Sequence, residues 1–600
     1  MQLGMTENGI GIRLQNMVLQ KPAEYDVIIV GLGTAGAACY CHCVKEGLNV
    51  LGIEKTNGMG GQSTVGCVAF GASPSARILD FERRGRGGDI MYESIVIGVF
   101  INGNKVAGVR VLSNGVIRDT MAKIVIDASG NASIARMCGL PLRKGRDYDG
   151  VMAPCARAET WMNLETKNVH PWYRNYPEDL TLSMKDYAST VSMLSRERHK
   201  HWLGNRKKER LLKPAMLVGA REEARVVTEE VLTLQEILER KPFTDPIFYA
   251  WGPEDLPVFH GDHAFESEPI QNWKVLCGLP FFGYPAVLTY GTIVAKGIDG
   301  LLVPSKHFGV AHDLGGGIRM QEDMRKTGIA AACAALVAIR RNCALKDVPY
   351  AELKPLLEAA GNLKPPRKND VTAVRGYEFH AFSDEEAINA LKQDVIRTGE
   401  WWYAETKGAP CEHAAYAYWT AWKRQLIGNE NERKHLADML AAEMQKGGRF
   451  AGNFAVALGL MKDRRAVPIL LAIVKHPGGE LDPVIKNAYP NRVKALLLLG
   501  RFQERESLPL MMDIIRDDAK SFMADLFGTG AFSTPDMCRF QALSYALMAI
   551  KSILAVYPNA RIENELRQWQ QRDFKFLGMD GRDITDRLKR HWPEYCMKKD

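Results

Sequence analysis

Long apolar runs are missing from this sequence. None of its 600 residues belongs to an uninterrupted apolar stretch near the roughly 20 residues that a helix needs to cross a bilayer, and the longest candidate, 329–339, is too short. The N-terminus also lacks the charged-then-apolar pattern of a secretion signal. We therefore expect a cytoplasmic protein without a membrane span.

Metal-type cysteine spacing is absent as well. The twelve cysteines include no CxxC pair. Cys39, Cys41 and Cys43 alternate, but on the helix predicted there they point in different directions and cannot converge on one ion. We predict no metal site, and scattered thiols without a pairing framework fit a reducing compartment.

The chain has little excess charge of either sign. Its 78 basic and 70 acidic residues give a net charge of +8, and basic runs such as 207–210 are short. A solvated surface accounts for such runs better than a nucleic-acid interface does, so we predict no nucleic-acid partner. Attraction of an anionic substrate stays open.

What the sequence does contain is a complete β-α-β pattern over 25–61. A β-branched apolar run at 26–30 is followed at once by Gly31-Leu-Gly33-Thr-Ala-Gly36 and by a helix of small residues. Gly31 allows the tight turn, Gly33 lets phosphate oxygens approach the backbone, and Gly36 lets helix and strand pack closely. The free N–H groups at the helix start favour an anion, so the pattern predicts a dinucleotide site rather than an ordinary β-α turn.

An acidic residue follows at the expected distance. Glu54 ends the second apolar run, 23 residues after Gly31, where a carboxylate accepts hydrogen bonds from ribose hydroxyls. No second GxGxxG follows a strand elsewhere, so we expect no dedicated domain for a nicotinamide nucleotide.

The segment after Glu54 carries a family resemblance. Glu54-Lys-Thr-Asn-Gly-Met-Gly-Gly61-Gln-Ser resembles the two-dinucleotide-binding flavoproteins, in which a Gly-Gly pair follows the ribose-binding acid. More narrowly, the chain resembles the FAD-dependent oxidoreductases related to fumarate reductase and succinate dehydrogenase. Ala-Ser-Gly at 128–130, Ala-His-Asp at 311–313 and Gly-Ile-Arg at 317–319 match the same family. The resemblance implies FAD as the cofactor.

The resemblance also implies site residues. It places the ribitol along 60–63, the adenine beside Val96 and the diphosphate beside 128–130. His312 and Arg319 are the candidates for substrate polarisation or proton transfer, because their segment is expected near the flavin ring, although Arg319 could instead contact only FAD. The predicted cofactor-binding set is Gly31, Gly33, Thr34, Ala35, Gly36, Glu54, Lys55, Gly60, Gly61, Gln62, Ser63, Val96, Ala128, Ser129, Gly130, Ile318 and Arg319.

Several domains are expected from the length and from changes in pattern. The predicted fold is an α/β Rossmann-like FAD-binding domain (1–145 and 286–345), with a mixed α+β capping domain inserted at 146–285. Residues 350–600 are predicted to be all-α and HEAT-like, because Gly459 and Pro468 recur as Gly500 and Pro509, both 41 residues later. That region could bind a protein partner, form a homo-oligomer or only brace the enzyme. In the middle region, His260 and His263 could be a metal or acid-base pair, although ordinary loop histidines are the stronger interpretation.

The functional prediction is an FAD-dependent oxidoreductase that moves a hydride between flavin N5 and a small organic substrate. Two alternatives stay open at this point. The flavin could serve a non-redox isomerase or hydratase, or the fold could be a flavin-stabilised scaffold that binds a partner through the HEAT-like repeats.

Overall fold

The computed structural model describes most of the chain. The described residues are 2–6, 9–13, 23–66, 68, 74–153, 156–175, 208–214, 217, 219–239, 242–253, 263–278, 283–364, 382–392, 414–483, 489–525, 534–577, 585 and 588. Among them, no helix combines the length and the apolar character that a bilayer crossing requires.

A seven-stranded sheet organises the first part of the chain. Its strands are β3 (Ala23–Val30), β4 (Val50–Ile53), β5 (Asp89–Met91), β6 (Ser94–Asn102), β7 (Lys105–Ser113), β8 (Val116–Asp127) and β16 (Leu301–Leu302). They lie in the order β5-β4-β3-β8-β7-β6, with β16 beside β8. Strands β3, β4, β5 and β16 run parallel to their neighbours, whereas β6, β7 and β8 form an antiparallel meander.

The turns of the meander lie at Asn102-Gly103 and Asn114-Gly115, and Asn-Gly between two β-rich runs is the sequence signal for such turns. The apolar run that begins at Asp89 is divided between β5 and β6. Residues 116–127 form one continuous strand, β8. This strand is long enough to pair with β7 at its start and with β3 and β16 at its end.

Two helices cross each other on one face of this sheet. They are α1 (Thr34–Lys45) and a long helix, α7 (Gln321–Arg341), whose side chains are mostly buried alanines and other small residues. A Cβ on Gly328 would lie 2.0 Å from the backbone oxygen of Ala35, so the close crossing requires glycine there. The other helices of this part are α2 (Pro74–Arg84), α3 (Ser133–Met137) and α6 (His312–Gly315).

The middle region is mixed in structure. A three-stranded antiparallel sheet joins β10 (Ala156–Asn163) to β11 (Val169–Asn175) and β12 (Glu209–Pro214), and β14 (Pro246–Pro253) pairs with β15 (Gly283–Thr289). The predicted boundary between 285 and 286 therefore falls inside β15. The stretch 220–234, whose pattern fits either strands or a helix, contains only the short strand β13 (Arg225–Val226) and leads into α4 (Leu234–Leu238). The remaining elements before residue 286 are the hairpin β1–β2 (Gln2–Thr6 and Gly9–Arg13), β9 (Leu142–Arg143) and α5 (Glu268–Gln271).

All named elements after residue 349 are helices. Two consecutive pairs share the same arrangement, with a 3-10 turn between the helices of each pair (Arg464–Ala466 and Arg505–Ser507). The helices are α8 (Tyr350–Ala359), α9 (Asp384–Leu391), α10 (Ala414–Ile427), α11 (Glu430–Gln445), α12 (Ala451–Leu460), α13 (Val467–Lys475), α14 (Asn491–Arg501), α15 (Leu508–Arg516), α16 (Pro535–Leu554) and α17 (Ala560–Gln571).

These helices pack against the segment 263–277 of the middle region. His263 Nδ1 lies 2.7 Å from the Tyr489 hydroxyl, and Arg501 donates to Gln271 Oε1 at 2.9 Å. Trp273 and Trp419 meet edge to face at 5.8 Å. His263 is thus buried in this contact, while His260, its predicted companion, lies outside the described residues.

Candidate functional site

The turn between β3 and α1 has the geometry that its glycines predict. Gly31 has a φ of +86°, and a Cβ there would lie 2.7 Å from the Ala128 backbone oxygen, while a Cβ on Gly36 would lie 1.8 Å from the Gly31 oxygen. Among the residues that the structure describes, nothing lies within 4 Å of a Cβ on Gly33. Gly33 is the N-cap of α1 and has no side chain, so no side chain at the N-cap accepts from the first N–H groups of the helix.

The Gly60-Gly61 pair lies directly against this turn. Gly60 N donates to Leu32 O at 2.7 Å, and a Cβ on Gly61 would lie 2.9 Å from the Gly33 Cα. The Thr34 hydroxyl donates to Gly60 O at 3.3 Å. Ser63 is buried, and its hydroxyl donates to the same oxygen at 2.8 Å. Two glycine segments separated in sequence therefore form one backbone-lined surface.

Glu54 lies at the end of β4 and is 5% exposed. Its Oε2 accepts from Leu32 N at 2.7 Å, and its Oε1 accepts from both the backbone N and the hydroxyl of Thr56 at 2.9 Å. The carboxylate thus holds the glycine turn in place. A carboxylate has about four lone-pair directions, so one further hydrogen bond from a ribose hydroxyl is compatible with these three.

The end of β8 forms the neighbouring wall. Asp127 is buried and accepts from the hydroxyl of Ser129 at 2.5 Å and from the backbone N of Ile134 at 2.9 Å. These bonds fix the turn 128–130, in which Ala128 is buried and Gly130 has a φ of +79°. Val96 is buried in β6, whose first residue, Ser94, donates its backbone N to Glu54 O at 3.0 Å.

A narrow cleft, whose free volume of about 10 Å³ has room for roughly one water molecule, lies beside this edge of the sheet. Its lining contains five basic residues and one acidic residue, and Arg319 is among them. Ile318, a predicted cofactor-binding residue, is fully buried. The charged lining residues are Arg221, Glu222, Arg225, Lys306, His312 and Arg319.

His312 lies between two buried carboxylates. Its Nδ1 is 2.8 Å from Glu222 Oε2, and its Nε2 is 3.1 Å from Glu266 Oε2. Burial opposes the charged form, but Glu222 and Glu266 outweigh burial and raise the pKa of His312 to about 10. His312 is therefore an imidazolium at neutral pH, with Nδ1 hydrogen-bonded to Glu222 and Nε2 within ion-pair distance of Glu266. This geometry suits the placement of charge better than the uptake of a proton.

The two carboxylates are themselves held by arginines. Arg225 pairs with Glu222 and also donates to Gly145 O at 2.7 Å. The Nη1 atom of Arg146 lies 3.2 Å from Glu266 Oε1. Burial raises the pKa of Glu222, but His312 and Arg225 outweigh it and bring that pKa below its usual value. The sequence did not indicate Glu222 or Glu266, because each lies far from His312 along the chain in a stretch without clear periodicity.

The predicted site residues come together only in part. The residues of the glycine turn, Glu54, the Gly60–Ser63 segment and 128–130 form one continuous edge, and His312 and Arg319 line the adjacent cleft. Lys55 is exposed near that edge, Gln62 is half-buried, and Ala35 is buried under α7. Lys306 was not predicted; it lies four residues after Leu302, the last residue of β16.

The surroundings of Gly33 have the room and the charge that the diphosphate of FAD requires. A side chain would fill the space at Gly33, no side chain caps α1 there, and lysine and arginine line the adjacent cleft. A helix N-terminus with free N–H groups and nearby cations favours a diphosphate. The residues present therefore fit the cofactor that the resemblance implies.

One of the comparisons with known proteins, a family model, points to the same chemistry. Residues 76–214 and 196–357 match the family model described as FAD dependent oxidoreductase, together a little under half of the chain and without the first glycine turn. No curated protein is significantly similar in sequence.

Solved structures resemble the chain only distantly. A geranylgeranyl bacteriochlorophyll reductase-like protein from Thermoplasma acidophilum is 13% identical, with a TM-score of 0.31 over 71% of this chain and 100% of the other. The p-nitrophenol 4-monooxygenase PnpA from Pseudomonas putida is 11% identical, with a TM-score of 0.30 over 69% and 97%. THI4 from Thermovibrio ammonificans is 20% identical, with a TM-score of 0.19 over 21% and 67%. At these scores the similarities do not indicate a shared substrate.

The family match agrees with the glycine turn, the acid at the end of β4 and the glycine N-cap of α1. The protein is an FAD-dependent oxidoreductase, and FAD is its cofactor.

Proposed function

We propose that the protein transfers a hydride between flavin N5 and a small organic anion bound by Arg319. FAD, when bound, supplies two-electron chemistry at its isoalloxazine ring. The observation that supports an anionic substrate is the lining of the cleft, in which five basic residues accompany a single acidic one. That acid, Glu222, is already engaged by Arg225 and His312.

The chain's own residues would divide the remaining tasks. A guanidinium at Arg319 offers a planar set of donors that matches a carboxylate or another oxyanion. His312, held as an imidazolium by Glu222 and Glu266, adds fixed positive charge to the same wall. The predicted roles in substrate polarisation are consistent with this arrangement, and charge placement is the role that we propose for His312.

A substrate screen tests this proposal. Under anaerobic conditions, small hydroxy- and unsaturated carboxylates are expected to change the flavin absorbance, whereas their neutral amides or esters are not. Arg319→Met is expected to lower kcat/KM for the responding anion about 10- to 100-fold, because a hydrogen bond to a charged group is lost. Lys296→Met, a change at an exposed lysine that is not part of the cleft lining, is the matched control.

Two outcomes of that screen would contradict the proposal. Equal response to the acids and to their neutral analogues would exclude an anionic substrate. Conversion of an anion without any change in the oxidation state of the flavin would favour the isomerase or hydratase alternative.

We also propose that the chain is fumarate-reductase-like, with a capping domain at 146–285, and that 350–600 is HEAT-like. The last of these is supported by the two helix pairs α12–α13 and α14–α15. Their intervening 3-10 turns begin at Arg464 and Arg505, and their second helices begin at Val467 and Leu508, an offset of 41 residues in both cases. Such stacked pairs offer a surface for a protein partner or a second copy of the chain.

A further inference from the structure

We propose that Lys306 binds the diphosphate of FAD and belongs to the cofactor site. This inference rests on the proposed function, because it requires FAD at the carboxyl edge of the sheet. It concerns a residue that neither the glycine motif nor the family resemblance indicated.

Three parallel strands bring the segments that follow them to one edge of the sheet. Leu302 of β16 pairs in parallel with Ile126 of β8, and Asp127 of β8 pairs in parallel with Val30 of β3. The segments that follow these three strands therefore leave the sheet at one edge. The glycine turn and the 128–130 turn occupy this edge, and the segment ending in Lys306 is the third to reach it. Ligands of open α/β sheets bind outside the carboxyl ends of the strands.

The Lys306 side chain runs beside the 128–130 turn. Its Cε lies 3.8 Å from the position of a Cβ on Gly130, so the side chain passes directly over the 128–130 turn. Its Nζ donates to Ala220 O at 2.6 Å, and Lys306 lines the cleft that contains Arg319. An ammonium has three donors, so the bond to Ala220 orients it while two donors are left for a ligand.

Two further cations, Arg319 and Lys55, influence the charge of Lys306. Burial lowers the pKa of Lys306, the carboxyl of Glu223 raises it, and Arg319 and Lys55 lower it further. Three cations therefore influence one another here. Glu223 is a counterion of Lys306, and burial raises the pKa of Glu223. A diphosphate would balance the remaining positive charge of Lys306 and Lys55.

Lys306 could instead have one of two different roles. It could serve only to tie Ala220 to the sheet, or it could bind an anionic substrate in place of the cofactor. The diphosphate and such a substrate are both oxyanions with the same binding chemistry, so the experiment must separate the two. FAD, ADP and adenosine do so, because ADP and adenosine differ in the diphosphate alone.

The test measures the binding of FAD to the apoprotein by quenching of flavin fluorescence, with ADP and adenosine as competitors. Lys306→Met is expected to weaken FAD binding about 10- to 100-fold, the loss of one hydrogen bond to a charged group. The same variant should lose most of the preference of the wild type for ADP over adenosine. Lys306→Arg should preserve both properties, and Lys296→Met should change neither.

Stability is followed in parallel by urea denaturation. If Lys306→Met does not fold, Lys306→Gln keeps a donor for Ala220 O while removing the charge, and the same losses are expected. Unchanged FAD affinity would overturn the inference, as would weaker FAD binding with an unchanged preference for ADP. A variant that binds FAD and ADP normally but has a raised KM for an anionic substrate would assign Lys306 to the substrate. Failure of the wild type to bind FAD would overturn the proposed function itself.

Discussion

Replacing Gly33 with aspartate is expected to abolish FAD binding while leaving the apoprotein at least as stable as the wild type. In the described part of the chain, a Cβ at Gly33 meets nothing within 4 Å, and the backbone there has a φ of −64°, which any residue adopts. Gly33 is also the N-cap of α1, where aspartate is a preferred residue and would stabilise the helix by a few tenths of a kcal/mol relative to glycine. The aspartate side chain therefore fits at this position and caps α1.

The same carboxylate would repel the diphosphate. Two like charges about 4 Å apart cost about 4 kcal/mol at an effective dielectric constant of about 20. We accordingly expect a loss of FAD affinity of at least about 100-fold, measured by fluorescence titration of the apoprotein.

Gly33→Asn is the matched control, because it has the same shape and capping ability without the charge. Affinity is expected to fall less in this variant than in Gly33→Asp. Equal losses in both would show that space, not charge, matters at Gly33. Tight FAD binding by Gly33→Asp would contradict the placement of the diphosphate at α1.

Replacing His312 with leucine is expected to lower the free energy of unfolding by about 3–5 kcal/mol, the cost of removing one partner from a buried ion pair. Glu222 and Glu266 would both lose the imidazolium between them, although Arg225 and Arg146 would still hold each of them. Urea denaturation at neutral pH measures the change. His435→Leu, at an exposed histidine, is the control and is expected to have little effect.

The pH dependence gives this prediction a sign. The pKa of His312 is raised from 6.5 to about 10 in the folded protein. Its contribution to stability is therefore fully present below about pH 6.5 and is lost as the pH rises toward 10. His312→Leu should lack this part of the decline, and His312→Gln is the milder variant if folding fails. If His312→Leu loses as much stability between pH 6.5 and 10 as the wild type does, the His312 imidazole does not titrate in this range.

Asp323 contributes in a different range of pH. Burial raises its pKa from 3.8 to about 7, so its effect on stability is lost between these two values as the pH rises. The comparison of His312→Leu with the wild type above pH 7 is thus largely free of it.

The parts of the fold that were predictable depend on local signals. Strand, glycines, helix and acid lie within one short stretch, so β3, α1 and β4 could be derived from steric and electrostatic requirements alone. The meander could be derived from its Asn-Gly turns, and the paired helices from the 41-residue period.

The cluster around His312 could not be derived in this way. Glu222 and His312 are 90 residues apart, and Arg146 and Glu266 are 120 apart. Their partnership exists only because the middle region folds back onto the segment before α7. The predicted histidine was located through a resemblance, but its charge state depends on two carboxylates that no local pattern indicates.

The visible absorption spectrum of the purified protein, before and after acid precipitation, tests the assignment of FAD most directly. We predict a flavin spectrum, with FAD released into the supernatant at close to one molecule per chain. Yellow colour retained in the pellet would mean that the flavin is covalently attached. A colourless protein that also takes up no added FAD would contradict the account of the glycine turn, the cleft and Lys306 together.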